Sequence, residues 1–473
     1  MSKQLFNSTE KSNFILNMTE EKFSEIAGWG LSSVCFTTAV FALLPEISES
    51  VSYAIVSGGL AVSGVICLIL ALIAVMKKYI NRKQLFPVCA FAVMFVWGMI
   101  SLADSYSLNI GFYGFTGRGE GMLAILFYFG FFVTAVSVKR EKAVKSLINA
   151  VIASGVIHSL FSLVQIFTGD FSQYKHISIS EQINASSGLA QSPVFLAMFL
   201  SLTLIASLIR TVLAKNHKQL IIYISCSCLF AFVMMFTYSV VGIAGIILAV
   251  LSALLSWFVF IREFPKKNLI SLPVVIMSAV SAVIIINCGL IENIPDYKLH
   301  DSQITLWADG YMRLSANGDK YPEKFDISDN ADTRSYIYRE TIKIIKKFPL
   351  TGTGAEQLVY PQLYTYDGLD KSVEFTEIIP RNKGTFDKIY NEYLYVTATR
   401  GIPSLIALLA VIVSVIVIGL KKISKKPSAT ELCNFLMFLC GVIIFFISCG
   451  NITFSPVFWS LCGFVICRTE KSE

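Results

Sequence analysis

Long apolar blocks alternate with short basic loops along most of the chain, and one long polar stretch interrupts them. A membrane-spanning helix needs roughly 20 apolar residues to cross about 30 Å of hydrocarbon. Twelve blocks qualify as candidate spans, near residues 28–45, 51–76, 84–103, 121–138, 146–167, 192–209, 219–238, 240–261, 269–290, 398–420, 430–449 and 453–467. Lipid offers the backbone no hydrogen-bond partner, and the alternation typical of a β-barrel strand is absent. The pattern therefore predicts an all-α integral membrane protein.

The composition supports a membrane protein, since 55% of the 473 residues are hydrophobic and only 15% are charged. A soluble domain carries about 25% charged residues. The eleven cysteines lie in or beside the apolar blocks. No Cys/His spacing of a metal site and no Asp-x-Asp pair occurs along the chain. We therefore expect no disulfide framework, no bound metal and no cofactor.

Basic residues collect in every second loop. The five loops after spans two, four, six, eight and ten contain eighteen Lys or Arg residues and two acidic ones. Short cytoplasmic loops of membrane proteins carry such a basic excess. The pattern predicts a multi-pass protein of the cell (inner or plasma) membrane with both termini in the cytoplasm. The net charge of +7 is mostly this bias, and it gives no reason to expect a nucleic-acid partner.

The polar stretch runs from Ile291 to Tyr390, between spans nine and ten, and the orientation places it outside the cytoplasm. Segments this long without a span are usually functional. The chain then divides into five parts: a cytoplasmic N-terminal segment at 1–27, spans one to nine at 28–290, the extracytoplasmic loop at 291–390, spans ten to twelve at 391–467 and a cytoplasmic tail at 468–473. Function is expected where this loop meets the membrane.

Two amphipathic helices are predicted at the end of the polar stretch. Asp332 can cap a helix that runs from Thr333 to Phe348 and stops before a proline. Its apolar face has helical spacing and consists of Ile337, Thr341, Ile344, Ile345 and Phe348. Gly352 and Gly354 predict a turn. A second helix is predicted to start near Phe386 and to lead directly into span ten.

Four sequence motifs resemble the O-antigen ligase and O-antigen polymerase superfamily. The first is ADTRSYIYRETIKIIKKFPLTGTGAEQL, similar to a family segment in which an Arg begins a helix that ends in Pro and a Gly-x-Gly turn. The second is FDKIYNEYLYVTATRGIPSLIALL, which resembles the family's His-Asn-x-Tyr-Leu helix before Gly-Ile and the next span. The other two motifs are weaker. GFYGFTGRGEGMLAILFY resembles the family's Gly-x-x-x-Arg-x-x-Gly pattern at the start of a span, and GLAQSPVFLAMFL is the fourth motif. The order of the motifs and the large outer loop also match.

The resemblance implies a membrane glycosyltransferase that needs no metal, acting as a surface polysaccharide polymerase or ligase. Such an enzyme transfers a glycan from a polyprenyl diphosphate carrier, such as undecaprenyl diphosphate, to an acceptor hydroxyl on the outer face. A diphosphate is already a good leaving group, so the enzyme has to hold its charge and orient the acceptor. The implied partners are the lipid-linked oligosaccharide, the bilayer and other polysaccharide assembly proteins.

Arginine is the side chain expected to hold the diphosphate, because its planar guanidinium pairs with phosphate oxygens through two parallel hydrogen bonds. We predict that Arg118 and Arg334 clamp the diphosphate at the outer mouth of the bundle. Arg339 is predicted to support them, and Glu120 is a further candidate for substrate binding. The candidate catalytic residues are Arg334, Tyr390, Asn391 and Asp387.

Two positions depart from the family pattern. Ligases of the family carry His before Asn391, whereas this chain has Tyr390. A phenol with a pKa near 10 is a poor general base at neutral pH. Tyr390 is therefore expected to orient a sugar, while Asp387 or Glu392 takes the proton. Residues 237–240 lack the Arg of the family's Ser-Arg pair, which removes one expected phosphate ligand.

Two other functions fit the sequence. One is a transporter or flippase of lipid-linked glycan, and the other is a catalytically inactive family member in a polysaccharide assembly complex. If the protein is an enzyme, Arg118 and Arg334 are expected to face one outward-open cavity beneath the loop. If it is a flippase, charged side chains are expected along a path through the bundle. The sequence leaves open the choice between polymerase and ligase, the sugars and the acceptor.

Overall fold

The computed structural model describes residues 18–44, 49–115, 118–168, 186–190, 192–237, 239–287, 303–306, 312–315, 327–359 and 388–467. Within these ranges the chain is nearly all helical. The helices are α1 (Glu20–Ala42), α2 (Glu49–Met76), α3 (Arg82–Ser101), α4 (Leu108–Tyr113), α5 (Met122–Val136), α6 (Glu141–Thr168), α7 (Pro193–Val212), α8 (His217–Met235), α9 (Val240–Val259), α10 (Ser271–Asn287), α11 (Ile327–Lys347), α12 (Glu392–Ile423), α13 (Ala429–Ile444) and α14 (Ser455–Ile466).

Apolar helices occupy all the positions predicted as spans. Nine helical segments in the described ranges are long and apolar enough to cross a membrane, and they involve α1, α2, α3, α6, α7, α8, α9, α10 and α12. The other three predicted positions contain the shorter apolar helices α5, α13 and α14, of 15, 16 and 12 residues. The chain is thus a multi-pass membrane protein, and twelve complete crossings remain a prediction.

Helix α7 lies at the centre of the bundle, where all its residues except Arg210 are buried. It packs against α6, α8, α9 and α13. Small residues allow the close approach of these helices, as is common inside membranes. A side chain at Gly245 of α9 would overlap the Ser201 hydroxyl of α7. At Gly155 of α6, an added Cβ would lie 2.6 Å from the methyl group of Thr203.

A short hairpin is the exception to the all-α prediction. Strands β1 (Gln303–Leu306) and β2 (Met312–Ser315) pair antiparallel, with Gln303 opposite Ser315 and Leu306 opposite Met312. The intervening sequence contains Asp309-Gly310, a dipeptide typical of tight hairpin turns. The alternation on each side is only four residues long, which is too short to stand out beside the helical pattern.

Helix α11 extends further towards the N-terminus than predicted. It begins at Ile327, so Asp332 lies within the helix and the prediction that Asp332 is its N-cap is wrong. Acidic residues are favoured near a helix N-terminus, and the polar run before Thr333 can therefore continue the helix. The predicted apolar face is confirmed, because Ile337 and Ile344 are buried in a cluster that Phe348 also contacts.

Helix α12 begins at Glu392, and the described residues immediately before it are not helical. The prediction of one continuous helix from near Phe386 into span ten is therefore wrong at residues 388–391. Tyr390 has φ +56°, a left-handed conformation that ends any helix arriving from the N-terminal side. Asn391 caps α12, since its Oδ1 accepts a hydrogen bond from the backbone N–H of Leu394 (3.0 Å).

The turn after α11 packs against a kink in α12. Gly401 has φ +77° inside α12, and the next residue, Ile402, donates its N–H to the Pro349 carbonyl (2.8 Å). The Thr353 N–H donates to the Ala398 carbonyl (3.0 Å). The predicted turn is confirmed by positive φ angles at Gly352 and Gly354. These backbone bonds fix the chain that follows the turn beside the first part of α12.

Candidate functional site

Four chain segments meet at the end of the bundle that is predicted to face outwards. They are residues 118–121 before α5, 351–359 after α11, 388–392 before α12, and 445–455 between α13 and α14. The Glu392 N–H donates to the Phe445 carbonyl (2.8 Å), and the Gly450 N–H donates to Glu392 Oε2 (2.8 Å). Ion pairs between buried side chains join the other two segments to these.

Lys388 connects two buried carboxylates from different segments. Its Nζ lies 2.7 Å from Glu120 Oε2 and 2.9 Å from Glu356 Oε1, and none of the three side chains is more than 9% exposed. The Tyr128 hydroxyl donates to Glu120 Oε1 (3.2 Å), and the Tyr395 hydroxyl donates to Glu356 Oε1. We call these five residues the Lys388 cluster.

The charges of the Lys388 cluster do not balance when both carboxylates are ionised. Burial raises the pKa of Glu120, and the nearby charge of Glu356 raises it further, whereas Lys388 lowers it. Burial opposes protonation of Lys388, but the two carboxylates outweigh it and hold the pKa of Lys388 well above its ordinary value. Lys388 is therefore a permanent cation at neutral pH, and Glu120 accepts a proton more readily than an exposed glutamate.

Glu356 is held in an unfavourable state. Its φ of +58° lies in the left-handed region, and its Oε2 is buried without a hydrogen-bond partner among the described residues. Each feature costs free energy, and such costs concentrate at functional sites. Tight backbone docking of the turn before it maintains the conformation.

A second buried ion pair lies deeper in the bundle. Arg400 Nη2 is 3.7 Å from Glu392 Oε1, while Glu392 Oε2 accepts the Gly450 N–H. The two residues lie on the same side of α12, about two turns apart. The stem of Arg400 packs against α3, where its Cδ would be 3.3 Å from a Cβ added at Gly98.

A cavity of about 40 Å³ lies between this ion pair and the Lys388 cluster. Its polar lining consists of Glu120, Tyr128, Glu392, Tyr395, Arg400 and Ser455. The volume is large enough for water molecules. Neither Lys388 nor Glu356 is among the lining residues. The cavity therefore brings two carboxylates and one guanidinium into a shared polar space inside an apolar bundle.

Gly450 packs closely against both cavity carboxylates and against Ser455. A Cβ added at this position would lie 2.7 Å from Ser455 Oγ, 3.5 Å from Glu392 Oε2 and 3.7 Å from Glu120 Oε1. Any side chain there would collide with the Ser455 hydroxyl and contact both carboxylates. The close packing around Glu392 and Glu120 therefore requires glycine at this position.

The structure describes the side chains of two of the three predicted arginines, Arg118 and Arg339. Arg118 is half-buried in the loop that carries Glu120, with its guanidinium carbon 5.2 Å from the ring centroid of Phe195. Arg339 is exposed on α11, and its Nε lies 4.0 Å from Glu340 Oε1. Arg334 lies on α11, but its side chain is outside the described part of the structure. The convergence of Arg118 and Arg334 remains a prediction.

Of the three candidate catalytic residues before α12, the structure describes Tyr390 and Asn391. Asp387 lies outside the described residues. Tyr390 is half-buried and packs against the apolar cluster that includes Ile337 and Ile344. Asn391 uses its whole side chain locally, since its Nδ2 donates to the Phe446 carbonyl (3.2 Å) while its Oδ1 caps α12. Asn391 therefore sets the position of the first turn of α12.

Sequence reasoning missed Lys388, Glu356, Tyr395, Tyr128 and Arg400 as members of a site. Arg400 had a usable signal, because a charged residue inside an apolar span is rare and usually functional. The Lys388 cluster had none, since Lys388 and Glu120 are 268 positions apart. Helices α3 and α14 each pack against both α5 and α12, and this tertiary arrangement brings the two side chains together.

The comparison with known families identifies the segment that carries most of this site. Residues 225–409 match the model of a family described as O-Antigen ligase. The matched segment includes Glu356, Lys388, Glu392 and Arg400, whereas Glu120 precedes it. No curated protein matches the chain.

Proposed function

We propose, because residues 225–409 match a family described as O-Antigen ligase, that the chain is a surface polysaccharide polymerase or ligase that uses a glycan donor linked to polyprenyl diphosphate. The acceptor is a hydroxyl group on the outer face of the cell membrane, and both termini lie in the cytoplasm. The reaction needs no metal in this proposal. Other polysaccharide assembly proteins are expected to supply the donor and receive the product.

The observation that carries the proposal is the polar cavity beside the Lys388 cluster. Buried charge in the described residues of the bundle gathers at one end, with Arg400 about two turns inside α12. A transporter is expected to place charge along a route through the bundle instead. The arrangement therefore favours chemistry at one membrane face over passage of a glycan across the membrane.

Donor binding is assigned to the predicted clamp of Arg118 and Arg334, with Arg339 in support. The apolar face of α11 packs inwards, so its basic residues, including Arg339 and Lys343, remain exposed above the site. This placement suits a diphosphate at the level of the lipid headgroups. Arg118 lies in the loop that carries Glu120, with its guanidinium beside the ring of Phe195.

Acceptor binding is assigned to the residues that lead into α12. Tyr390 orients a sugar ring by stacking and through its hydroxyl. Asn391 positions Glu392 by capping the helix, and Glu392 or Asp387 is available for proton transfer. Glu120 binds substrate at the cavity. The acceptor oxygen then attacks the anomeric carbon as the diphosphate leaves.

Arg334→Ala is expected to reduce glycan transfer by about 10- to 100-fold, because each charge-assisted hydrogen bond to the diphosphate contributes about 1.5–3 kcal/mol. Shorter glycan and accumulated lipid-linked intermediates should both appear in cells that express and insert the variant normally. Arg140→Ala is the matched control, since Arg140 pairs with Glu21 (3.3 Å) at the predicted cytoplasmic side. Unchanged chain length and intermediates in Arg334→Ala cells would refute the clamp.

A further inference from the structure

Lys388 holds two glutamates that differ in one respect relevant to catalysis. Glu356 is 1% exposed, and its Oε1 receives both the Lys388 ammonium and the Tyr395 hydroxyl. Glu120 is 9% exposed and lines the cavity, which Glu356 does not. The cluster thus contains one enclosed carboxylate and one that lines the cavity.

The bonds of Glu120 fix its orientation and leave it able to accept another proton. Lys388 holds Oε2 at 2.7 Å, and the Tyr128 hydroxyl donates to Oε1 at 3.2 Å. A carboxylate oxygen has two lone pairs, so one donor does not saturate Oε1. Glu120 also lines the cavity, so a hydroxyl group that enters the cavity can reach this carboxylate.

The other described carboxylate of the cavity is less suited to proton transfer. Glu392 has Arg400 beside Oε1 (3.7 Å) and the Gly450 N–H on Oε2 (2.8 Å). The guanidinium and the backbone donor engage both oxygens of Glu392 and tie it to Arg400 and to the turn at Gly450. Glu392 is therefore better placed to hold Arg400 and the cavity wall than to receive a proton.

We propose that Glu120, rather than Glu392 or Asp387, is the catalytic base of the glycan transfer, an inference that rests on the proposed function and refines its assignment of the proton acceptor. The acceptor hydroxyl enters the cavity and donates its proton to Glu120. The acceptor oxygen forms a bond to the anomeric carbon, and the bond from that carbon to the phosphate oxygen breaks. The polyprenyl diphosphate leaves with the electron pair. Lys388 and Tyr128 are positioning residues that aim the carboxylate.

The electrostatic surroundings of Glu120 suit this role. Lys388 and Tyr128 contact it directly, and Glu356 faces it across Lys388. The remaining ionisable groups around the cavity are Glu392, Tyr395 and Arg400. Burial first, and then the charge of Glu356, raise the pKa of Glu120 above that of an ordinary glutamate. A base with a pKa closer to neutral transfers protons more effectively at physiological pH.

The test compares Glu120→Gln with Glu356→Gln in purified protein reconstituted in nanodiscs, with a lipid-linked oligosaccharide as the donor. The rate of glycan transfer is measured as kcat/KM against pH. The wild type should lose rate towards acid as Glu120 is protonated. Glu120→Gln should lower the rate by about 10²–10⁴-fold and abolish this acid limb. Glu356→Gln removes the same charge from the same lysine, and it should keep the acid limb.

Equal rate losses in both variants, with the acid limb preserved in each, would overturn the assignment and leave Glu120 a structural partner of Lys388. Glu120→Asp is a second test in case the glutamine variant does not fold. It keeps the negative charge beside Lys388 but withdraws the carboxylate by one methylene group. It should lower kcat at least tenfold with the donor KM unchanged, and an unchanged kcat would overturn the proposal.

The two proposals fail in distinguishable ways. If Arg334→Ala lowers the rate of transfer as expected and Glu120→Gln leaves it unchanged, only the assignment of Glu120 is wrong. If the wild-type protein forms no new glycosidic bond at any pH, the transferase function is wrong and the catalytic role of Glu120 fails with it.

Discussion

Lys388→Met should destabilise the folded protein by about 3–5 kcal/mol, because it leaves Glu120 and Glu356 buried without their cation. Methionine keeps most of the side-chain volume, so the loss of stability reports the uncompensated charge of the two buried glutamates. The measurement is the free energy of unfolding in detergent or nanodiscs, determined from denaturant titration where unfolding is reversible.

Lys142→Met provides the matched control. Lys142 pairs with Glu25 at 3.4 Å, their side chains are 85% and 55% exposed, and exposed pairs contribute about 0–1 kcal/mol. Adding Glu120→Gln and Glu356→Gln to Lys388→Met should recover most of the lost stability, since no buried charge is then left unpaired. Equal effects of Lys388→Met and Lys142→Met would contradict the buried cluster.

Gly401→Ala should disrupt both the fold of the outer end and the activity. Gly401 has φ +77°, and an added Cβ would overlap the backbone carbonyl of Leu350. A left-handed conformation costs an L-residue about 1–2 kcal/mol, and overpacking adds about 1–3 kcal/mol. The turn after α11 would have to move away from α12, and it would carry Glu356 with it.

The effect on transfer should exceed the effect on stability. A shift of about 1 Å in a catalytic group can lower a rate about 10²-fold, so Gly401→Ala should lose most of its activity even in the fraction that folds. Ile406→Ala is the control on the same helix, because the Ile406 side chain is 62% exposed and its loss leaves the turn after α11 in place. Wild-type stability and transfer rate in Gly401→Ala would show that the docking of the turn is unimportant.

The features predicted correctly from sequence are those with local causes. Apolar blocks become helices because each block satisfies its own backbone. The inward face of α11 follows from the spacing of Ile337, Thr341 and Ile344, which are all buried. The turn at Gly352 and Gly354 follows from residues that adopt positive φ at little cost.

The features that sequence reasoning missed depend on distant neighbours. Tyr390 adopts a left-handed conformation that its residue type does not favour, so the start of α12 was placed too early. The partners of Lys388 come from the segments before α5 and after α11. No periodicity or spacing encodes such pairs, because tertiary packing alone selects them. The motif containing Arg334 and the one containing Tyr390 and Asn391 still marked the segments that border the site.

The alternative functions differ from the proposal in what happens to the glycan. In proteoliposomes that contain the purified protein and a lipid-linked oligosaccharide, the proposal predicts a new glycosidic bond. The products are a longer or newly attached glycan and polyprenyl diphosphate released in equal amount, both detected by mass spectrometry. Movement of the intact lipid-linked oligosaccharide between leaflets without any new bond, or no change when acceptor is present, would contradict the transferase.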